Sequence, residues 1–197
     1  MIYTYSELID KYSNYAAPKM KIKSLVDHGN LFAIRPGLYT DDKNISKLAL
    51  SHIIYGPSYI SFETALSYYG LIPERAVNVL SATTHKNRKK HFQNIFGDYF
   101  YRDVPFDVFS YGIDVERDKY GNIIRIAKVE KALLDTLYTV KNVRSEKQLR
   151  ELLFDDLRIN DNLFEELDAN FIFEVGPKYK KKNIDYLIKM LEKDYVQ

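Results

Sequence analysis

The sequence predicts an α+β protein on three observations. Apolar residues recur at helical spacing towards both ends, the middle (77–125) alternates short β-prone runs with turns, and an apolar fraction of 46% against 28% charged residues is that of a folded domain. The 17 Tyr and 11 Phe exclude a disordered chain, and 197 residues can bury a core as one domain or as two small ones.

The first 40 residues read as two short helices and a hairpin. Thr4 or Ser6 caps a helix to about Tyr12, with Leu8 and Ile9 as its apolar face and Glu7 placing a negative charge in its first turn. Asn14, Ala16 and Pro18 mark a break. Pro18 suits the first turn of a second helix, in which Ile22, Leu25 and Val26 point inward and Gly29 provides the stop. Two β-prone pieces, 31–34 and 38–40, flank Arg35-Pro36-Gly37, a hairpin signal. Helix, turn, helix and hairpin is the order of a winged helix-turn-helix, whose second helix enters the major groove while the hairpin touches the backbone. A DNA-binding module is therefore expected over 1–42, with a leading helix short or missing. Its contacts would be Lys19, Lys21, Lys23, Ser24 and Arg35. Asp27 also points outward, and it suits DNA only as an acceptor from a cytosine amine.

Residues 43–197 read as a second, α+β domain, a mostly antiparallel sheet covered by helices. A helix over 45–55 ends at Gly56-Pro57, and Ser61 is placed as the N-cap of another that stops at Gly70. Strands are expected at 77–83, 99–102, 104–110, 113–115 and 123–126, with a hairpin turn at Tyr120-Gly121-Asn122. From Lys128 the spacing of Val129, Ala132, Leu133, Thr136 and Leu137 is helical. Helices over 145–154, 161–169 and 183–195 follow, the last after Gly176-Pro177 and with Leu187, Ile188 and Leu191 as its stripe.

Several chemistries are excluded or unsupported. With no Cys there is no disulfide framework, thiol nucleophile or thiolate metal site, as suits a reducing compartment. The N-terminus lacks the basic and apolar regions of a signal peptide, and no window reaches the roughly 18 apolar residues of a membrane span, so a cytoplasmic protein with no membrane partner is expected. His28, His52, His85 and His91 lie in separate elements without metal-ligand spacing. Asp114 to Lys119 lacks the acid and lysine spacing of a metal-dependent nuclease, and there is no phosphate-binding glycine loop or Gly-x-Ser-x-Gly. Neither an enzyme nor a cofactor is expected.

Charge is informative through its segregation, because the net value is only +2. Residues 151–168 carry seven acids against Arg158 alone, 178–182 carry four Lys, and 85–91 carry Lys86, Arg88, Lys89 and Lys90 with no acid. The last run falls between two strands, on a loop or a sheet edge. Two readings stay open: a nucleic-acid surface in which cations bind phosphate beside aromatic rings, or an edge strand protected by lysine. Tyr99, Tyr101 and Tyr111 are expected mainly in sheet packing.

Three blocks stand out when taken together. The first is Leu25-Val26-Asp27-His28-Gly29 running through Arg35-Pro36-Gly37-Leu38-Tyr39. The second runs from Tyr59-Ile60-Ser61 through Ala65-Leu66 to Tyr69-Gly70-Leu71, and the third is Ala127-Lys128-Val129-Glu130-Lys131-Ala132-Leu133-Leu134-Asp135. Together these blocks resemble the AbiEi family of antitoxins, with order and spacing agreeing from about Thr4 to Leu137, two thirds of the chain. The resemblance implies a phage-defence antitoxin encoded beside a nucleotidyltransferase-like toxin. It would repress its own operon through the winged helix and neutralise the toxin through its C-terminal part, without a stable complex. Operator DNA would meet Lys19, Lys21, Lys23, Ser24 and Arg35, with Lys86, Arg88, Lys89 and Lys90 as a second basic surface. The rival reading is a protein-interaction module of the same fold whose acidic 151–168 face docks a basic partner.

Overall fold

The structure, a computed structural model, describes residues 1–118 and 120–195; Lys119, weighed above for nuclease spacing, lies outside the described residues. The chain opens with β1 (Ile2–Thr4), α1 (Tyr5–Lys11), α2 (Pro18–Asp27), β2 (Phe32–Arg35) and β3 (Leu38–Thr40). Thr4 and Glu7 form a reciprocal capping box, the Thr4 hydroxyl accepting from the Glu7 amide at 3.3 Å and Glu7 Oε2 from the Thr4 amide at 2.7 Å. Pro18 starts α2, where a missing N–H costs nothing. At the far end Gly29 takes φ 68°, its amide bonding Val26 O and that of Asn30 bonding Leu25 O, so carbonyls of the last turn are satisfied. The three strands form one antiparallel sheet in the order β1-β3-β2. β1 was not expected, since three residues carry no legible alternation. Leu8, Ile22 and Leu31 form a small core of their own beneath Leu25 and Val26, whereas Ile34 and Leu38 belong to the main core.

The remaining chain builds a mixed sheet, three of whose five pairings are antiparallel as expected and two parallel. After α3 (Lys47–Ile54) come β4 (Ser58–Ile60), α4 (Phe62–Tyr68), β5 (Val79–Thr83), β6 (Lys90–Asn94) and β7 (Gly97–Asp103). These are followed by α5 (Phe106–Phe109), β8 (Ile113–Arg117), β9 (Ile123–Ala127) and α6 (Val129–Thr139). The order is β6-β7-β5-β4-β9-β8; β7–β5 and β4–β9 run parallel and the other pairings antiparallel. Segment 104–110, expected as a strand, instead turns into α5 after Pro105, and Val108 is buried by that turn. β4, fully buried, was hidden inside the run that enters α4.

Helices lie on both faces of this sheet. Tyr101 donates to Ser51 O at 2.7 Å and Ser81 bonds Ser51 at 2.5 Å, which places α3 on the face of Tyr99 and Tyr101. Arg102 and Tyr59 point to the other face, against Phe62 of α4 and Asp135 of α6. The expected 145–154 helix is α7 (Glu146–Arg150) continued by a π-helical turn over Glu151–Asp156, and 161–169 divides into α8 (Asp161–Glu165) and α9 (Ala169–Val175), the latter capped by Asp168. A 3₁₀ turn over Gly176–Tyr179 leads to α10 (Lys182–Tyr195). No helix among the described residues is long and apolar enough to cross a membrane.

Asn183 joins α10 to α6. Fully buried, it accepts from the Val143 amide at 2.8 Å and donates to Leu137 O at 3.0 Å and Lys141 O at 3.1 Å. Replacing it leaves buried backbone groups without partners, so Asn183→Ala is expected to lower stability by about 2 kcal/mol. A urea titration checks this: the midpoint should fall with the slope unchanged.

Candidate nucleic-acid interface and a buried charge network

The outward face of α2 carries most of the N-terminal candidates. Lys19, Lys23 and Ser24 are exposed, as is Arg35 at the end of β2. Lys21 is half-buried, its ammonium 5.0 Å from the Tyr15 ring centroid, which restricts its reach. The Ser24 hydroxyl lies 3.4 Å from His28 Nδ1, and Asp27 stays exposed beside it. Arg35 follows a register shift in the β2–β3 ladder between Ala33 and Arg35.

The second basic run is not one surface. β6 is an edge strand whose Lys90 pairs with Tyr101 and whose His91 pairs with Phe100, so successive side chains leave on opposite faces. Lys90 shares the Tyr101 face, and Lys86 joins it, 5.1 Å over the Tyr55 ring. Lys89 instead lines a cleft with Arg102 on the other face. Arg88 is exposed. An acid also enters the region that looked acid-free in sequence, because Asp103 Oδ2 accepts from the Lys86 amide at 2.9 Å and the Asn87 amide at 2.5 Å. That carboxylate fixes the loop and offsets part of its charge. The N-terminal unit docks at this edge through Asn94 Nδ2 to Ile34 O at 2.9 Å and the Phe32–Phe96 ring contact.

Sequence reasoning missed the strongest electrostatic feature. Lys131 and Asp135, four residues apart on α6, are both fully buried, and Lys131 Nζ donates to Asp135 Oδ1 at 2.6 Å. Oδ1 also accepts from Tyr179 at 2.6 Å, while Oδ2 accepts from Ser61 at 2.7 Å and Tyr59 at 3.0 Å. Tyr179 in turn receives a hydrogen bond from Lys131 at 2.5 Å. Ser61 occupies the N-cap position of α4 as expected, but its hydroxyl makes no capping bond and is turned to Asp135 instead. Burial lowers the Lys131 pKa, opposed by Asp135, and raises those of Tyr59 and Tyr179. All five groups are buried, and their hydrogen bonds tie β4, α4, α6 and the turn before α10 together. Among the described residues, no group of three or more His, Asp or Glu is arranged to hold a metal ion.

Compared with known proteins, the chain matches no family model and no curated protein.

Two predictions follow from the network and the other buried tyrosines. Lys131→Met strands a buried carboxylate and is expected to cost about 3–5 kcal/mol, measured by denaturant unfolding. Adding Asp135→Leu to it should restore part of the loss, because no unpaired charge then remains. The second concerns alkaline pH. Tyr59, Tyr99, Tyr101 and Tyr179 are all raised above 10.0 by burial. Above that pH the unfolded chain gives up phenol protons that the folded one keeps, so stability present below about pH 10 is lost as pH rises. Lys131, shifted down, acts in the opposite sense but is one group against four. A tyrosinate absorbance titration should therefore show these rings ionising only with a cooperative loss of ellipticity; independent, gradual ionisation would contradict their burial.

Proposed function

We propose that this chain is a DNA-binding autoregulator of the AbiEi antitoxin kind, acting against a nucleotidyltransferase-like toxin. The observation that carries the reading is the N-terminal unit. Two helices precede a hairpin, a short strand completes a sheet in the order β1-β3-β2, and α2 turns Lys19, Lys23 and Ser24 to solvent. This agrees with a winged helix-turn-helix, in which α2 would enter the major groove and Arg35 would approach the backbone from the hairpin. Lysines set phosphate contacts and position, so most of the affinity would be salt-dependent, with base reading left to few groups.

A second reading, docking to a basic protein partner, is favoured by one observation. All seven acids of 151–168 are exposed, and within that span only Arg158 counters them, itself bound to Glu74 at 2.8 Å.

The two separate in one pair of measurements: gel shift against the DNA upstream of the chain's own gene, and rescue of growth when the toxin is co-expressed. Lys23→Ala is expected to weaken operator binding and to reduce the slope of log affinity against log salt by about one unit per lost phosphate contact, with Lys21→Ala doing less. Rescue without any DNA binding would favour the docking reading, and absence of both rescue and DNA binding would remove the antitoxin assignment.

A further inference from the structure

Two basic runs far apart in sequence meet at one cleft. Its walls are Lys89 before β6, Arg102 on β7, Tyr138, Thr139 and Val140 at the end of α6, and Lys181 just ahead of α10, around a volume of about 510 Å³. That lies within the roughly 300–1,000 Å³ of small-molecule sites. None of these lining residues is acidic.

The cations retain free hydrogen-bonding capacity. Arg102 is ion-paired with Glu63, whose Oε2 lies 3.7 Å from Nη1, but makes no hydrogen bond among the described residues, so its N–H groups stay available. Its guanidinium rests 5.2 Å over the Phe62 ring, which orients the fork. Lys181 spends one of its three N–H groups on Val140 O at 2.9 Å. Lys89 is exposed and has no ion-pair or hydrogen-bond partner among the described residues.

We propose that this cleft binds a compact phosphate chain, as in inorganic triphosphate or a nucleoside triphosphate, held by Lys89, Arg102 and Lys181. Three cations converge on a cleft with no acid among its lining residues, and Glu63, paired with Arg102 at 3.7 Å, offsets only part of their charge, which suits a dense anion; the planar guanidinium matches phosphate oxygens. A long strand fits less well. Lys86 and Lys90, which would extend a basic track past Lys89, leave on the opposite face of the sheet. This site is independent of operator binding through α2.

The test is calorimetric titration of the full chain with inorganic triphosphate, a nucleoside triphosphate and a single-stranded oligonucleotide. Both phosphate chains should saturate one site, and tighter binding of the nucleotide would mark it as the source of the chain. Lys89→Glu and Arg102→Gln should each weaken binding about tenfold or more, whereas Lys90→Glu, on the other face, should leave it unchanged. Lys89 is exposed, so its variant stays interpretable even where Arg102→Gln disturbs Glu63. Absence of saturable triphosphate binding, indifference to Lys89→Glu, or binding of the oligonucleotide alone would overturn the proposal.

Discussion

The fold depends on satisfying one buried carboxylate. A charge with no access to water is stable only if its partners stay in place, and Asp135 gathers four donors on its two oxygens: Lys131, Tyr179, Ser61 and Tyr59. Those donors come from β4, the start of α4, α6 and the turn before α10. A single acceptor therefore fixes where a central strand meets the helices on that face. Such a pair adds little net stability over an apolar core, and we take its main effect to be specificity: an arrangement that moved β4 or α10 would strand a charge.

The constraint reaches the surface through Phe62. Because the Ser61 hydroxyl is turned to Asp135, α4 begins without a side-chain cap, and Phe62 adopts φ 55°, a costly conformation for a bulky residue. Complete burial of its side chain holds it there. The same ring supports the Arg102 guanidinium. A buried ionic lock thus positions a half-buried cation two steps away, with the β7 backbone as the other support.

What was legible in the sequence was local. Pro18, Gly29 and Gly37 each mark a backbone event that their own chemistry dictates, so the helix and hairpin boundaries of the first 40 residues could be read directly. The apolar spacing of α6 was equally plain. Lys131 and Asp135 were not, because four-residue spacing on a helix describes an exposed ion pair as well as a buried one, and only the packing of α10 and β4 decides between them. The parallel β5–β7 and β4–β9 pairings join segments whose order in the chain does not reveal their order in the sheet. The basic run illustrates the same limit. Sequence shows four cations together, but strand alternation sends Lys89 one way and Lys90 the other.

Charge placement bears on which ligand this architecture can tolerate. The net charge of +2 gives almost no long-range attraction for nucleic acid, and at physiological salt fields between exposed groups fade over about 8 Å. Only local clusters matter. The N-terminal unit docks at the β6 edge by α3, while the acids of 151–168 belong to the helices that follow α6. Acids placed on those helices would repel a phosphate backbone wherever it came near them, so the proposed DNA contact is compatible only with an approach led by α2 or the hairpin. A docking partner with basic character would meet the opposite preference. Charge segregated along the sequence thus becomes charge segregated in space, with the cations of α2 and the acids of 151–168 carried by different elements.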